Sequence, residues 1–168
     1  MEKLFITPGI FQMLCNNYNP RAKEPIGGIL LAGKCENKLY CDTGHGSGFL
    51  FDFLMDEKYL NRIHYASENS DSFSLIPWFQ YDKKEFDENF HEFIENEIKD
   101  NFQSFLVLKP TRVETKRNFV FEYYYESIDD KIIPGKIEIV KTTDVDKNAK
   151  ESIARFMDYC IKKQQKSI

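Results

Sequence analysis

The sequence predicts an α/β (α+β) fold in which helices flank a mixed β-sheet. Three observations support this prediction: amphipathic helical patterns near both ends of the chain, short apolar runs typical of buried strands, and further helical patterns between those runs. The predicted order is helix, strands, helix, strand, helix, strands, helix, which suits a sandwich. With 168 residues, 42% of them hydrophobic, the chain is long enough to bury a core as one domain, residues 1–168.

The first predicted elements are a helix and a β-hairpin. Pro8 occupies the first helical position, with Thr7 before it as N-cap, and the helical pattern stops before Pro20. The GGILLA run, residues 27–32, predicts a short buried strand. A turn at residues 36–37 then leads into a second strand around residues 38–41.

A glycine-rich segment separates this hairpin from the next helix. Three glycines within residues 44–48 predict a loop, because glycine is unfavourable in regular elements. Asp56 is a suitable cap for the helix that follows, which ends in polar residues. An apolar strand is predicted at residues 73–81, where Pro77 indicates a bulge or an edge because it has no N–H.

The second half of the chain predicts two helices and three strands. Helical spacing of phenylalanines predicts a helix over about residues 82–100, followed by the buried strand FLVL, residues 105–108. Strand formers fill residues 119–126, and residues 132–140 are predicted to pair with them. The last helix spans about residues 144–163. Its predicted buried face carries Ile153, Phe156, Met157, Cys160 and Ile161.

Charge and cysteine usage exclude several classes of protein. The formal net charge of −4 and the pI near 5.5 argue against a nucleic-acid-binding surface over the whole domain. The sequence has neither an apolar run of roughly 20 residues, as a membrane span requires, nor the h-region of a signal peptide. Four widely spaced cysteines do not resemble a secreted disulfide framework. We therefore expect a cytoplasmic protein with reduced thiols and no membrane partner.

Two groups of residues suggest alternative functions. Cys35, Cys41 and His45 lie close in sequence and could hold zinc with His64 or His91, which would indicate a metal-dependent hydrolase. The sequence contains no CxxC or HxxxH pair, so this set is incomplete as a motif.

A second alternative is a small-ligand or nucleotide-binding protein. It would combine the glycine-rich residues 44–48 with a basic loop after FLVL, in which Lys109, Arg112, Lys116 and Arg117 could meet a phosphate or an acidic partner. The glycines have neither the lysine of a P-loop nor the spacing of a dinucleotide fingerprint.

The segment KEPIGGILLAG, residues 23–33, resembles the first-strand signature of the JAB/MPN family, in which a glutamate shortly precedes a GGILLG-like strand. Later features agree in order: the glycine-rich segment, the strand containing Pro77-Trp78, a helix, and FLVL. The resemblance covers about residues 4–142 and implies a cytidine-deaminase-like sandwich, as in bacterial members of the family. The helix at about residues 144–163 follows it.

Active members of this family hold zinc through a His-x-His motif and a later aspartate, with a serine and an upstream glutamate assisting. Aligned from Trp78, the four motif positions fall on Phe79, Tyr81, Asn89 and Glu92. Phenylalanine has no lone pair for zinc, and tyrosine is a poor ligand because its pKa is about 10. Glu24 stands one residue before the glutamate position, which Pro25 occupies.

The resemblance therefore implies a catalytically inactive, metal-free domain that binds another protein, with a ubiquitin-like fold or a peptide as the partner. Glu24, Phe79, Tyr81, Asn89 and Glu92 would line the remnant of the active-site groove. Two interpretations of the aromatic pair stay open from sequence. Phe79 and Tyr81 either anchor a partner in the groove or fill the core at the former zinc position.

Overall fold

A computed structural model describes residues 3–17, 26–49, 57–81, 87–99, 102–113, 116–126 and 132–166. The strands are β1 (Lys3–Ile6), β2 (Ile26–Cys35), β3 (Lys38–Phe49), β4 (Phe73–Gln80), β5 (Ser104–Val113), β6 (Lys116–Glu126), β7 (Ile132–Pro134) and β8 (Lys136–Ile139). The helices are α1 (Pro8–Asn17), α2 (Glu57–Glu68), α3 (Glu88–Phe93) and α4 (Lys147–Lys166). A π-helical turn, Ile94–Ile98, continues α3, and a 3-10 turn, Thr142–Asp144, precedes α4.

The described strands form one mixed sheet in the order β7-β6-β5-β4-β2-β3-β1-β8. The pairs β1–β3, β1–β8 and β4–β5 are parallel, and the other pairs are antiparallel. The two outermost strands, β7 and β8, are separated along the chain by Gly135 alone. Since one continuous segment supplies both ends of the strand order, the sheet must curl.

Helices cover both faces of this curled sheet. Side chains alternate along each strand, so Leu30 of β2 and Ile76 of β4 pack on the α1 side, while Ile29 and Phe79 face α2, α3 and α4. The layers are therefore helix, sheet and helices. This confirms the predicted α/β (α+β) class with a mixed, helix-flanked sheet.

Most predicted elements are present near their predicted positions. The helix at Pro8, the GGILLA strand, the FLVL strand and the C-terminal helix all occur. The predicted edge at Pro77 has a local explanation, because β5 joins β4 only from Trp78 onward and the missing N–H of Pro77 falls at the start of that pairing. The β2–β4 pairing contains no register shift at Pro77.

The glycine-rich segment is a strand, so the prediction of a loop at residues 44–48 was wrong. β3 runs through it, and Gly44 and Gly48 are paired with Leu30 and Gly27 of β2. Two register shifts between β2 and β3 absorb the extra residues of β3. Glycine is tolerated here because the neighbouring strand supplies the backbone hydrogen bonds. The flexible phosphate-binding loop proposed for these residues is therefore not formed.

Two further corrections concern the second half of the sheet. Residues 109–113, predicted as a basic loop, continue β5, and Lys116 and Arg117 begin β6. Residues 132–140 pair with β6 only over Ile132–Pro134, after which residues 136–139 pair with β1. β1 itself was not predicted.

The C-terminal helix buries most of its predicted face. Ile153, Phe156 and Cys160 are buried and Met157 packs against them, whereas Ile161 is 51% exposed, contrary to prediction. In the part of the chain that the structure describes, no helix is long and apolar enough to cross a membrane.

Candidate functional site

The candidate site lies where β4 ends, between its neighbours β2 and β5. Successive side chains of β4 point to opposite faces. Trp78 is buried on the α1 side, and its indole N–H is the one buried side-chain polar group without a hydrogen-bond partner among the described residues. Phe79 points to the opposite side, toward α3. The end of β4 therefore supplies one large aromatic side chain to each core layer.

A close approach between β2 and β4 fixes this part of the sheet. Gly27 is registered with Phe79. A Cβ atom at Gly27 would collide with the carbonyl oxygen of Trp78 and would lie 3.1 Å from the Cα atom of Phe79. The first glycine of the GGILL run is therefore required by backbone packing beside the candidate site.

Phe79 is a core residue with only 2% of its surface exposed. Three phenylalanine rings surround it, with centroid distances of 5.7 Å to Phe90, 5.5 Å to Phe93 and 5.8 Å to Phe105. The Phe93 ring meets Phe79 edge-on and the Phe105 ring is nearly parallel to it, which are favourable aromatic geometries. The position that the resemblance assigns to the first zinc histidine is filled by this aromatic cluster.

Tyr81 lies at the edge of the same cluster and is partly buried. Its ring centroid is 4.7 Å from that of Phe90. Its backbone N–H donates to the carbonyl of Leu108 on β5, and its hydroxyl oxygen accepts from the backbone N–H of Asp87 at 3.3 Å. Because Asp87 also caps α3 by accepting from Phe90 N–H at 2.9 Å, Tyr81 links the end of β4 to the beginning of α3.

The remaining predicted groove residues differ in placement. Asn89 and Glu92 are both exposed on α3, three residues apart and hence on one side of the helix. Glu24 lies outside the described residues. The structure thus brings Phe79 and Tyr81 together with the first turn of α3. Phe79 is buried there, whereas Asn89 and Glu92 are exposed. Glutamates 88 and 95 are also exposed, on α3 and on its π-helical continuation.

The alternative zinc ligands are distributed over different parts of the fold. Cys41 is fully buried on the α1 side of the sheet, and burial raises the pKa of its thiol far above the usual value. Cys35 packs against the cluster beneath α4, on the other side of the sheet. His64 and His91 are exposed on α2 and α3, and the His45 side chain lies outside the described part. Within that part, no three histidine, cysteine or carboxylate side chains cluster to hold a metal ion.

Cys35 instead belongs to the N-cap of α4. Asp146 accepts from the backbone N–H groups of Ala149 at 3.2 Å and Asn148 at 2.8 Å. These bonds, with that of the Cys35 thiol, hold the pKa of the Asp146 carboxyl below its usual value. Burial and the neighbouring Asp146 carboxylate raise the pKa of the Cys35 thiol. Cys35 is therefore protonated at neutral pH and donates to a helix cap.

Replacing Asp146 by Ala is expected to lower the melting temperature by a few degrees at neutral pH, because two N–H groups of α4 lose their acceptor. The folded-state pKa of Asp146 is depressed, so its contribution is complete above the unfolded-state value of about 3.9 and is lost as the pH falls through the folded-state pKa. Thermal unfolding from pH 7 to pH 2 tests this. Asp144→Ala, an exposed neighbour, is the control; equal losses in both variants would contradict the capping role.

A cavity of about 60 Å³ lies at the opposite end of β4, near its first residues. Lys34, Ser67, Ser70 and Gln103 contribute polar groups, and Phe73 is among its apolar lining residues. Ligand pockets for drug-sized molecules are typically about 300–1,000 Å³. This cavity is therefore too small for a nucleotide.

Comparisons with known proteins identify a similar fold and no family. No protein-family model matches the chain, and no curated protein matches it. Among solved structures, it is similar to the solution structure of protein DSY2949 from Desulfitobacterium hafniense, a structural-genomics target. The TM-score is 0.53 at 8% sequence identity, covering 82% of this chain and 93% of that chain. At this identity the similarity concerns the fold alone.

Sequence reasoning identified Phe79 and Tyr81 but missed their partners. The sequence predicted that Phe105 begins the buried FLVL strand, and the helical spacing of Phe90 and Phe93 predicted that both lie on a buried helix face. No local pattern, however, specified that this face would meet Phe79. Asp87 was missed as the α3 cap because the helical pattern was extended back to residue 82.

Proposed function

We propose that this chain is a JAB/MPN-like domain without the family's zinc chemistry and that it functions as a protein-binding module for a ubiquitin-like partner. The observation that carries this proposal is the burial of Phe79. It is 2% exposed and surrounded by three other phenylalanine rings, so the position that the resemblance assigns to the first metal ligand is occupied by apolar packing. Order along the chain supports it as well, since α1, β2, β4, α3 and β5 follow one another as the resemblance requires.

The partner-binding surface in this proposal is the exposed side of α3 beside Tyr81. Tyr81 is held from two sides, by Leu108 and Asp87, so its orientation needs no further ordering when a partner binds. Asn89 and Glu92 supply an amide and a carboxylate on the adjacent helix turn. Together these groups give an aromatic contact with a polar, acidic rim, which suits a partner that presents basic side chains.

Two measurements on the purified, untagged chain test the proposal. Elemental analysis after dialysis against excess zinc should find well below one tightly held zinc per chain. Ubiquitin added to isotope-labelled protein should shift the backbone amide signals of Tyr81, Asn89 and Glu92. The Asn89→Ala/Glu92→Ala variant should weaken that binding about tenfold, within the range that interface side chains commonly contribute.

The matched control is Glu151→Ala, an exposed carboxylate on α4. Stoichiometric zinc that is lost on replacing His45 or His64 would contradict the proposal and would favour a metal-dependent hydrolase. Absence of ubiquitin-induced shifts at millimolar concentration would contradict the choice of a ubiquitin-like partner.

A further inference from the structure

A pair of stacked tyrosines connects α2 to α4. The rings of Tyr65 on α2 and Tyr159 on α4 are nearly parallel, with an interplanar angle of 5° and a centroid distance of 3.6 Å. That separation corresponds to van der Waals contact between carbon atoms. The two rings therefore lie face to face, and the ring carbons of one tyrosine contact those of the other.

Two buried phenylalanines hold this pair in place. The Phe73 ring lies 5.6 Å from that of Tyr65. The Phe156 ring lies 6.0 Å from that of Tyr65 and 6.5 Å from that of Tyr159. The backbone carbonyl of Tyr65 also accepts hydrogen bonds from the backbone and side-chain N–H groups of Asn69, at 3.2 and 2.9 Å. The core thus fixes the relative position of the two tyrosines.

Face-to-face stacking is not the geometry that aromatic packing usually favours. The ring quadrupole makes offset and edge-to-face pairs more favourable than a sandwich. Phe73 and Phe156, directly beside the tyrosines, adopt the favoured edge-to-face geometry at 5.0 Å and 67°. The tyrosine pair gives up that preference. In return, its arrangement brings the ring carbons of two phenols into contact, which an edge-to-face pair does not achieve to the same extent.

Both tyrosines are accessible to a reagent in solution. Tyr65 and Tyr159 are half-buried, so each keeps part of its surface in contact with solvent. Two other oxidisable side chains are less accessible: Cys160, which follows Tyr159 in the chain, and Trp78 are both buried. An oxidant that acts from solvent therefore meets the tyrosine pair before it meets these two side chains.

We propose that Tyr65 and Tyr159 form an oxidative modification site, at which a strong one-electron oxidant links α2 to α4 through a dityrosine bond. Each phenol gives one electron to the oxidant and releases its hydroxyl proton, which leaves two tyrosyl radicals. These radicals pair to form a carbon–carbon bond between one ring carbon of each tyrosine, next to the carbon that carries the oxygen. The hydrogen atom on each bonded carbon then moves to the oxygen, which restores both aromatic rings. In total, two electrons and two protons leave the pair.

The cross-link would close a large loop of the chain. Strands β4 to β8 all lie between the two linked residues in sequence. Covalent closure of a long loop lowers the entropy of the unfolded chain, so the linked protein should be more stable. In the product the two rings are joined edge to edge, and the partial exposure of both side chains leaves room for the rotation that this requires. The inference is independent of the proposed function.

The test oxidises the full chain with a photogenerated ruthenium(III) complex, with persulfate as the final electron acceptor. Mass spectrometry of a protease digest should identify a linked peptide pair that joins Tyr65 to Tyr159 and has lost two hydrogen atoms. The amount of this product per chain should not change when the protein is diluted, because both rings belong to one molecule. The urea concentration at the unfolding midpoint should rise in the linked protein.

Tyr65→Phe keeps a stacked ring but has no phenol to oxidise, so it should lose the linked product and the gain in stability. The matched control is Tyr40→Phe. Tyr40 is also stacked, at 4.9 Å, but its neighbour is Phe5, which cannot form a phenoxyl radical. Its replacement should therefore leave the yield of the linked product unchanged.

Three results would overturn the inference. A yield that falls on dilution would assign the coupling to collisions between chains. Coupling of Tyr65 or Tyr159 to other tyrosines in equal yield would show that the stack does not direct the reaction. Recovery of both residues unlinked from a chain whose other tyrosines are oxidised would show that the stack is unreactive. Each of these results leaves the zinc and ubiquitin measurements unaffected, so failure of the cross-link is distinguishable from failure of the proposed function.

Discussion

Replacing Phe79 by Ala is expected to reduce the free energy of unfolding by about 3–5 kcal/mol, the usual range for removing a buried phenylalanine. The substitution empties the centre of a cluster in which Phe79 contacts rings from α3 and β5. Phe79→Leu keeps most of the apolar volume and should lose clearly less. Urea unfolding of the two variants measures both effects.

Asn89→Ala and Glu92→Ala are the matched controls, since both residues occupy exposed positions on α3. Surface substitutions of this kind usually change stability by less than about 0.5 kcal/mol. If Phe79→Ala were as mild as these controls yet weakened partner binding, Phe79 would be a groove anchor. A large loss of stability would instead assign Phe79 to the core and leave binding to the exposed side of α3.

Whether Phe79 belongs to the core matters because a buried aromatic cluster leaves no place for metal-binding side chains. A zinc site needs several side chains with lone pairs converging on one point at about 2.0–2.2 Å from the metal. At the end of β4, Phe79 instead packs its ring against that of Phe90. The Tyr81 hydroxyl oxygen accepts a hydrogen bond from the backbone N–H of Asp87. Introducing histidines at residues 79 and 81 would therefore place polar groups in an apolar layer and require repacking of Phe90 and Phe93.

Local patterns in the sequence were sufficient for elements whose burial is periodic or continuous. α1 and α4 were predicted because their apolar residues recur with the helical period, and the FLVL strand because its apolar residues form an uninterrupted run. The burial of Phe156 and Cys160 follows from helical spacing alone. Ile161 was wrongly assigned to the core: it follows Met157 at helical spacing, and Met157 is only partly buried while Ile161 is 51% exposed.

Long-range pairing explains what the sequence could not predict. Gly44 and Gly48 are in a strand because β2 supplies their hydrogen bonds, and no local residue signals that partner. β1 has only four residues and is positioned by parallel pairing with β3 and β8, which come from distant parts of the sequence. The candidate site has the same origin, since Phe79 meets Phe90 and Phe105 only after α3 has packed on the sheet.

Gly33→Ala is the second substitution with a large expected effect, a loss of about 1–3 kcal/mol in the free energy of unfolding, as overpacking usually costs. β2 passes beneath α4 at this residue. A Cβ atom at Gly33 would collide with the backbone of Ala149, lying 2.8 Å from its Cα atom and closer still to its carbonyl oxygen. Because the obstacle is helix backbone, no side-chain rotation relieves it, and α4 must move.

Gly9→Ala is the control, since a Cβ atom there meets nothing within 4 Å, and alanine in a helix is favoured over glycine by about 0.5–1 kcal/mol. Urea unfolding should therefore shift in opposite directions for the two variants. Should Gly33→Ala fail to fold, Ala149→Val adds volume from the helix side at a fully buried residue and should also be destabilising. Wild-type stability in both Gly33→Ala and Ala149→Val would mean that α4 does not pack closely on β2. Destabilisation with a single unfolding transition would instead indicate that α4, which follows the region of family resemblance, folds as part of the same unit as the sheet.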